Sequence, residues 1–229
     1  MIPVKDNIPL LRFPIVTVAL VLGLIVVYVL SILHGGSFFG GPSRHVALQY
    51  GAIPAQLTLG SAFSSIFLHG SFLALLANLI ALAIFGLNLE DALGRLRYLA
   101  FFLLGGIVSL GLLALFAPNS TVPVLGASGA VAAVLGGYLV LYPRARVVSL
   151  ALIPFLATIV ELPALLLLGL WLIVQVWFGL AGLTGPVHHD WGVAFAAQLG
   201  AFMLGALSVP LFAQRERLLA KRPPPRPVY

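Results

Sequence analysis

Apolar stretches closed by glycine, proline or charge divide this chain into six segments, 13–33, 72–89, 98–116, 128–142, 162–182 and 191–212, and the pattern predicts six membrane-spanning helices. Gly35-Gly36 and Pro42 end the first, and Glu90-Asp91 with Arg95 and Arg97 end the second. Pro118 ends the third, Pro143-Arg144-Ala145-Arg146 the fourth, and Gly182, Gly185 and Pro186 the fifth. The first run follows Arg12, is about 20 residues long and has no A-x-A-like site after it, so it reads as a retained span instead of a signal peptide. The expected architecture is an all-α, multi-pass membrane protein: one domain over 1–212 with a short fourth helix and a long first outer loop, then a basic, proline-rich cytoplasmic tail over 213–229.

Two segments depart from this plan. Residues 35–71 form an outer connection carrying apolar Leu57, Phe63, Ile66 and Phe67, which suits the membrane interface better than water. Residues 147–161 are also apolar, but Pro154 and Glu161 interrupt them and leave too little chain for a separate crossing after Pro143, a seventh span being the lesser alternative.

Composition narrows the class. With 61% hydrophobic and 8% charged residues, the chain is no ordinary soluble domain. The absence of cysteine excludes disulfides, thiolate metal sites and a cysteine nucleophile. Charge gives the orientation. With a cytoplasmic amino terminus, Lys5, Arg12, Arg95, Arg97, Arg144, Arg146, Arg215, Arg217, Lys221, Arg222 and Arg226 fall inside and only Arg44 falls outside. Both termini are therefore expected in the cytoplasm, at the plasma membrane of a bacterium. The basic charge then speaks for topology and anionic lipid, not nucleic acid.

The fourth segment carries the chemistry. From Ser128 to Tyr142 it spans about 22 Å of helix against ~30 Å of hydrocarbon. With Tyr142 at the inner interface, Ser128 lies roughly 8 Å below the outer edge. The chain from Pro118 to Ala127 must then dip into the membrane, which requires a wet cleft opening outward. Gly126, Ala127, Gly129, Ala130, Ala132, Ala133, Gly136 and Gly137 surround Ser128 with small residues. That composition suits close helix packing with Ser128 as a helix cap, and equally a nucleophile at the head of the helix. In the sixth segment Gln198, Ala201 and Gly205 share one stripe, and Gln198 lies at a depth similar to that of Ser128, so the two are expected to meet. Asn78 is the central polar group of the second segment, with His69 nine residues earlier near the outer surface. Buried amides such as Asn78 and Gln198 also serve as plain interhelical hydrogen bonds. All five histidines, His34, His45, His69, His188 and His189, lie outside the apolar cores.

In this order the fragments Phe67-Leu68-His69-Gly70-Ser71, Asn78, Leu89-Glu90-Asp91-Ala92-Leu93-Gly94-Arg95-Leu96-Arg97-Tyr98, Gly126-Ala127-Ser128-Gly129, Pro143-Arg144-Ala145-Arg146, Glu161-Leu162-Pro163-Ala164 with Trp171 and Gln175, and an Ala-x-x-x-Gly ending at Gly205 resemble the rhomboid family of intramembrane serine proteases. The resemblance implies a six-helix bundle, Ser128 as nucleophile, Gly126 and Gly129 flanking it in the motif, and a base from the sixth helix. In the family that base is a histidine, but here Ala197-Gln198-Leu199-Gly200-Ala201 puts Gln198 in its place. The family commonly has another histidine four residues before the asparagine, where this chain has Ala74. Asn78 and the backbone N–H of Ser128 remain as implied oxyanion donors. An aromatic residue that some members carry four after the serine is Ala132.

These substitutions bear directly on chemistry. A glutamine amide can orient a hydroxyl but cannot take its proton. Loss of a general base costs about 10²–10⁴-fold, and more where base and nucleophile act as a unit. A lost oxyanion donor removes roughly a further 10²–10³. A base from the loop is remote, because His189 lies nine residues, about 13 Å of helix, from Gln198. The expected function is a crippled or inactive protease scaffold that engages transmembrane segments of client proteins through the cleft and a lateral opening between spans two and five. The alternative is an active intramembrane endopeptidase, if Gln198 replaces a parental histidine or a loop histidine serves. A transporter fits poorly, since the spans hold no ionisable residue near mid-membrane. No cofactor or metal signature is present, and oligomeric state is not legible.

Overall fold

The computed structural model describes residues 2–153, 156–184 and 189–220. Pro154, Gly185, Pro186, His188 and the Lys221–Arg226 part of the predicted tail lie outside the described residues.

Among the described residues, five helices are long and apolar enough to cross a membrane: Ile15–Leu33 (α1), Phe72–Leu93, Arg95–Phe116 (α6), Ala164–Ala181 and Gly192–Phe212. The last two belong to α8 (Ala164–Thr184) and α9 (His189–Phe212). Ser128–Leu141 (α7) has 14 residues, the short fourth element that Ser128 was expected to head. Large apolar side chains such as Leu22, Val26, Ile173, Trp177 and Leu207 point outward from these helices, the pattern of a bundle solvated by lipid. The chain is an integral multi-pass membrane protein.

The connection between α1 and the second span is not featureless. It forms α2 (Arg44–Tyr50), a 3₁₀ turn at Pro54–Gln56 and α3 (Leu59–Phe67), which buries Ala62, Ser65 and Ile66 and leaves Leu59 and Phe63 exposed. Thr58 and Ser61 form a capping box that starts α3.

The span Phe72–Leu93 is built from α4 (Phe72–Ala81), a π-helical stretch Leu82–Gly86 and α5 (Leu87–Leu93). It runs four residues past the predicted end at 89, carrying Glu90 and Asp91 inside the fold. Their charge is met by backbone donors and one hydroxyl. Glu90 accepts from Val16 N–H at 3.0 Å, Thr17 N–H at 2.7 Å and Thr17 Oγ1 at 2.8 Å. Asp91 accepts from Leu11 N–H at 2.9 Å. Pro14 stands at the N-cap of α1 and offers no side-chain cap, so Glu90 supplies one from another helix and places an anion at the positive end of α1.

The chain also contains a sheet that the apolar pattern did not predict. β1 (Ile2–Asp6), β2 (Arg146–Ile153) and β3 (Leu156–Pro163) form an antiparallel sheet in that order, with Asp6 opposite Val147 and Arg146 opposite Pro163. The β-branched content of 147–160 favours strands, and the segment is too short for another crossing. Asp6 anchors the sheet to the helices: its carboxylate accepts from Asn88 Nδ2 at 2.9 and 2.8 Å and from Tyr138 Oη at 2.6 Å. Beyond Phe212 the chain turns back, with Gln214 N–H on the Ala92 carbonyl at 3.0 Å, and forms the short helix α10 (Arg215–Ala220). The first part of the predicted tail is therefore docked.

Helix α7 sits in the middle of the bundle, with Ala130, Ala132, Ala133, Val134 and Tyr138 buried. Its small residues permit close approach on two sides. A Cβ on Gly136 would collide with the Phe202 carbonyl of α9, and one on Gly205 would collide with the Ala133 carbonyl of α7. On the other side, a Cβ on Gly129 would strike Ser109 of α6. The Gln198, Ala201, Gly205 stripe does face α7.

Candidate functional site

The segment leading to Ser128 is held from below and from the side. Gly126 N–H donates to the Ser65 carbonyl of α3 at 2.9 Å, and Gly126 has φ +129°, a conformation that a side chain would strain. Ala127 occupies the N-cap position of α7 and makes no side-chain cap. Ser128 is the first helical residue, and its hydroxyl oxygen is reached by Asn78 Nδ2 of α4 at 3.5 Å. The hydroxyl thus faces a polar neighbour on another helix.

Asn78 uses its side-chain amide twice, donating also to Nε2 of His69 at 3.0 Å. The tautomer of His69 follows from its other nitrogen: Nδ1 lies 3.4 Å from the Phe67 carbonyl, which can only accept. Nδ1 therefore carries the hydrogen and Nε2 the lone pair, which Ala127 N–H also approaches at 3.5 Å. His69 is 0% exposed. Burial lowers its pKa to about 4, against an opposing upward pull from the Phe67 carbonyl, so the ring is neutral and weakly basic.

Ser128 and Gln198 line two cavities in common, one of about 450 Å³ with Asn78, Ala74 and Trp171, and a smaller one of about 140 Å³ with Gly126, Gly129 and Ser109. They are brought to one place, but the hydrogen bond of Gln198 goes elsewhere. Gln175 of α8, 5% exposed, donates its Nε2 to Gln198 Oε1 at 2.7 Å. Trp171, one turn earlier on α8, packs on Phe202 of α9 with ring centroids 5.7 Å apart. The large cavity is otherwise walled by apolar groups, including Ala77, Phe85, Val131, Leu135 and Leu168.

Of the five predicted site residues, Ser128, Asn78 and Gln198 border one cavity, Gly126 shapes the turn before Ser128, and Gly129 allows α6 to approach. Two residues of the site were not foreseen in their roles. The sequence puts His69 nine residues before Asn78, near the outer surface, with no contact between the two expected. As expected from the segment bounds, α4 begins at Phe72, after an N-cap at Ser71; the turn before it folds His69 back against Asn78. Gln175 was noted in the sequence pattern but not paired with Gln198. Helix α9 runs unbroken from His189 to Phe212, so the backbone of His189 stays about 13 Å along the axis from Gln198. Among the described residues no group of acids and histidines is placed to hold a metal ion.

The family model of the rhomboid domain matches residues 56–215, more than half of the chain. This chain belongs to the rhomboid family. A comparison with curated proteins finds no match. The rhomboid domain takes in every residue of the Ser128 cavity, from Ala74 to Gln198, as well as His69 and Gln175. The bundle is thus a rhomboid-family intramembrane-protease scaffold, with Ser128 at the head of its short central helix.

Proposed function

We propose that this rhomboid-family protein binds transmembrane segments of client membrane proteins in the cavity beside Ser128 and does not cleave them at an appreciable rate. The observation that carries this reading is the pairing at Gln198. Its carbonyl oxygen accepts from Gln175, and it stands where the resemblance expects the general base. A carboxamide has no accessible proton affinity, so attack by Ser128 Oγ would have to expel a proton without an acceptor. His69 does not fill the gap: Asn78 separates it from Ser128, its lone pair faces two N–H donors, and its basicity is reduced.

Other parts of the machinery suit an acyl-transfer scaffold. The Asn78 N–H that reaches Ser128 Oγ could turn to a developing oxyanion beside it, together with the Ser128 backbone N–H at the uncapped start of α7. The apolar walls and the two amides suit an unwound stretch of a client helix, whose free backbone groups need polar partners inside lipid. Client binding through a lateral opening between the second span and α8, cytoplasmic termini and a bacterial plasma membrane complete the proposal.

A fluorophosphonate probe applied to the full chain tests it. Weak labelling of Ser128 and no cleavage of a transmembrane substrate, with crosslinking of that substrate to residues of the cavity, support the reading. Efficient cleavage that Ser128→Ala abolishes overturns it.

A further inference from the structure

A further cavity, of about 480 Å³, opens at the opposite end of the bundle from Ser128. Along α6, Ser109 packs on the first turn of α7, whereas Arg95 begins the helix fourteen residues, about 21 Å, away. The cavity lies between the segment entering α1, the junction of α5 with α6, and α10. Four guanidinium groups border it, those of Arg12, Arg95, Arg97 and Arg217.

Two acids, Glu90 and Asp91, share its wall and offset part of this charge. The carboxylate of Glu90 is taken up by Val16 and Thr17, and that of Asp91 accepts from Leu11, all at the entrance to α1. Arg97 and Arg217 are oriented by single hydrogen bonds of 3.3 Å to the carbonyls of Phe212 and Asp91. Arg12 and Arg95 have no hydrogen bond or ion pair among the described residues. Gly94 contributes in a different way. Its φ of +82° lets the chain turn into α6 without a side chain, and Arg217 packs where its Cβ would be. No side chain caps α6.

The arginines are flanked by exposed apolar groups. Phe13 is 69% and Leu96 83% exposed, and both border the cavity at the mouths of α1 and α6. Free phosphate has no use for such a rim, whereas an amphiphile does: its charged group can sit among the forked donors while its chains run along Phe13 and Leu96.

We propose that this cavity binds the phosphodiester headgroup of an anionic phospholipid from the leaflet that this end of the bundle faces, with Arg12 and Arg95 as the principal anion contacts. The shared chemistry is recognition of phosphoryl oxygens by guanidinium groups, and the apolar rim selects a lipid over a free anion.

The test is equilibrium binding of a tail-labelled phosphatidylglycerol to the full chain in a neutral detergent. Phosphatidylglycerol is expected to bind at least tenfold more tightly than phosphatidylcholine with the same chains. The double variant Arg12→Gln/Arg95→Gln, which removes no hydrogen bond of the fold, is expected to weaken binding by about tenfold or more, on the order of 1 kcal/mol per lost cation. Arg144→Gln, the same loss of charge at an exposed site outside the cavity lining, is expected to leave binding unchanged. Three results would overturn the proposal: equal affinity for phosphatidylcholine, an equal loss with Arg144→Gln, or displacement of the lipid by millimolar inorganic phosphate alone. The last outcome would make the cavity a free-anion site.

Discussion

Gln175 Nε2 donates to Gln198 Oε1 at 2.7 Å, joining α8 to α9 beside the cavity that holds Ser128. Two neutral amides therefore satisfy each other where a rhomboid protease is expected to carry its proton acceptor. In lipid, such a bond contributes about 0.6 kcal/mol on average and up to about 1.7. A double-mutant cycle with Gln175→Leu and Gln198→Leu, read by unfolding in mixed micelles, should give a coupling energy in that range. A coupling indistinguishable from zero would mean that the pair does not link the helices.

His69 predicts a pH dependence. Its pKa is lowered from 6.5 to about 4 in the folded chain. The unfolded chain binds the proton first, so the stability due to neutral His69 is complete above pH 6.5 and falls as pH drops toward 4. The full effect is about 3 kcal/mol. His69→Leu should flatten the stability profile in that window and should also release Asn78, which loses its 3.0 Å acceptor. An unchanged profile in the variant would assign the acid sensitivity to other groups.

The seam between α7 and α9 sets a steric prediction. Gly136→Ala and Gly205→Ala place a methyl group against backbone carbonyls of the facing helix and should each destabilise the fold by about 1–3 kcal/mol or more. Gly111→Ala in α6 meets nothing within 4 Å and should be neutral or slightly stabilising, by up to about 1 kcal/mol. Melting temperatures of the three purified variants separate the cases. Equal behaviour of all three would contradict the close crossing.

Tyr138 couples the sheet to the bundle. Tyr138→Phe removes the 2.6 Å donor to the buried Asp6 carboxylate while Asn88 keeps its two contacts. The expected loss is about 1–3 kcal/mol, with faster hydrogen exchange in the β1–β2 ladder. Unaltered exchange there would show that Asp6 is held without Tyr138.

The spans were legible because lipid demands long apolar runs, and each predicted segment lies on a helix whose ends differ from it by a few residues. Glu90 and Asp91 misled at the end of the second span, since a charge pair usually stops a helix in lipid. Here the backbone N–H groups of Leu11, Val16 and Thr17 receive both carboxylates, a contact across about 75 residues that no local pattern reveals. The sheet was missed for a similar reason: β1 finds its partner in a strand that starts at Arg146, far along the chain, and 147–161 looked only like an apolar run too short to cross. At the site, the order of motifs placed Ser128, Asn78 and Gln198 around one cavity. It could not give the fold-back that buries His69 or the choice of Gln175 as the partner of Gln198. The signal for the first was Ser71, a helix N-cap that leaves His69 in the turn before α4, free to fold back on Asn78.

Restoring a base at position 198 tests the reading most directly. The rate at which a fluorophosphonate labels Ser128 should rise by about 10²-fold or more in Gln198→His over the unaltered chain, with a further gain when Ala74→His is added, and no labelling in Ser128→Ala. Fast labelling of the unaltered chain, unchanged by Gln198→His, would contradict it.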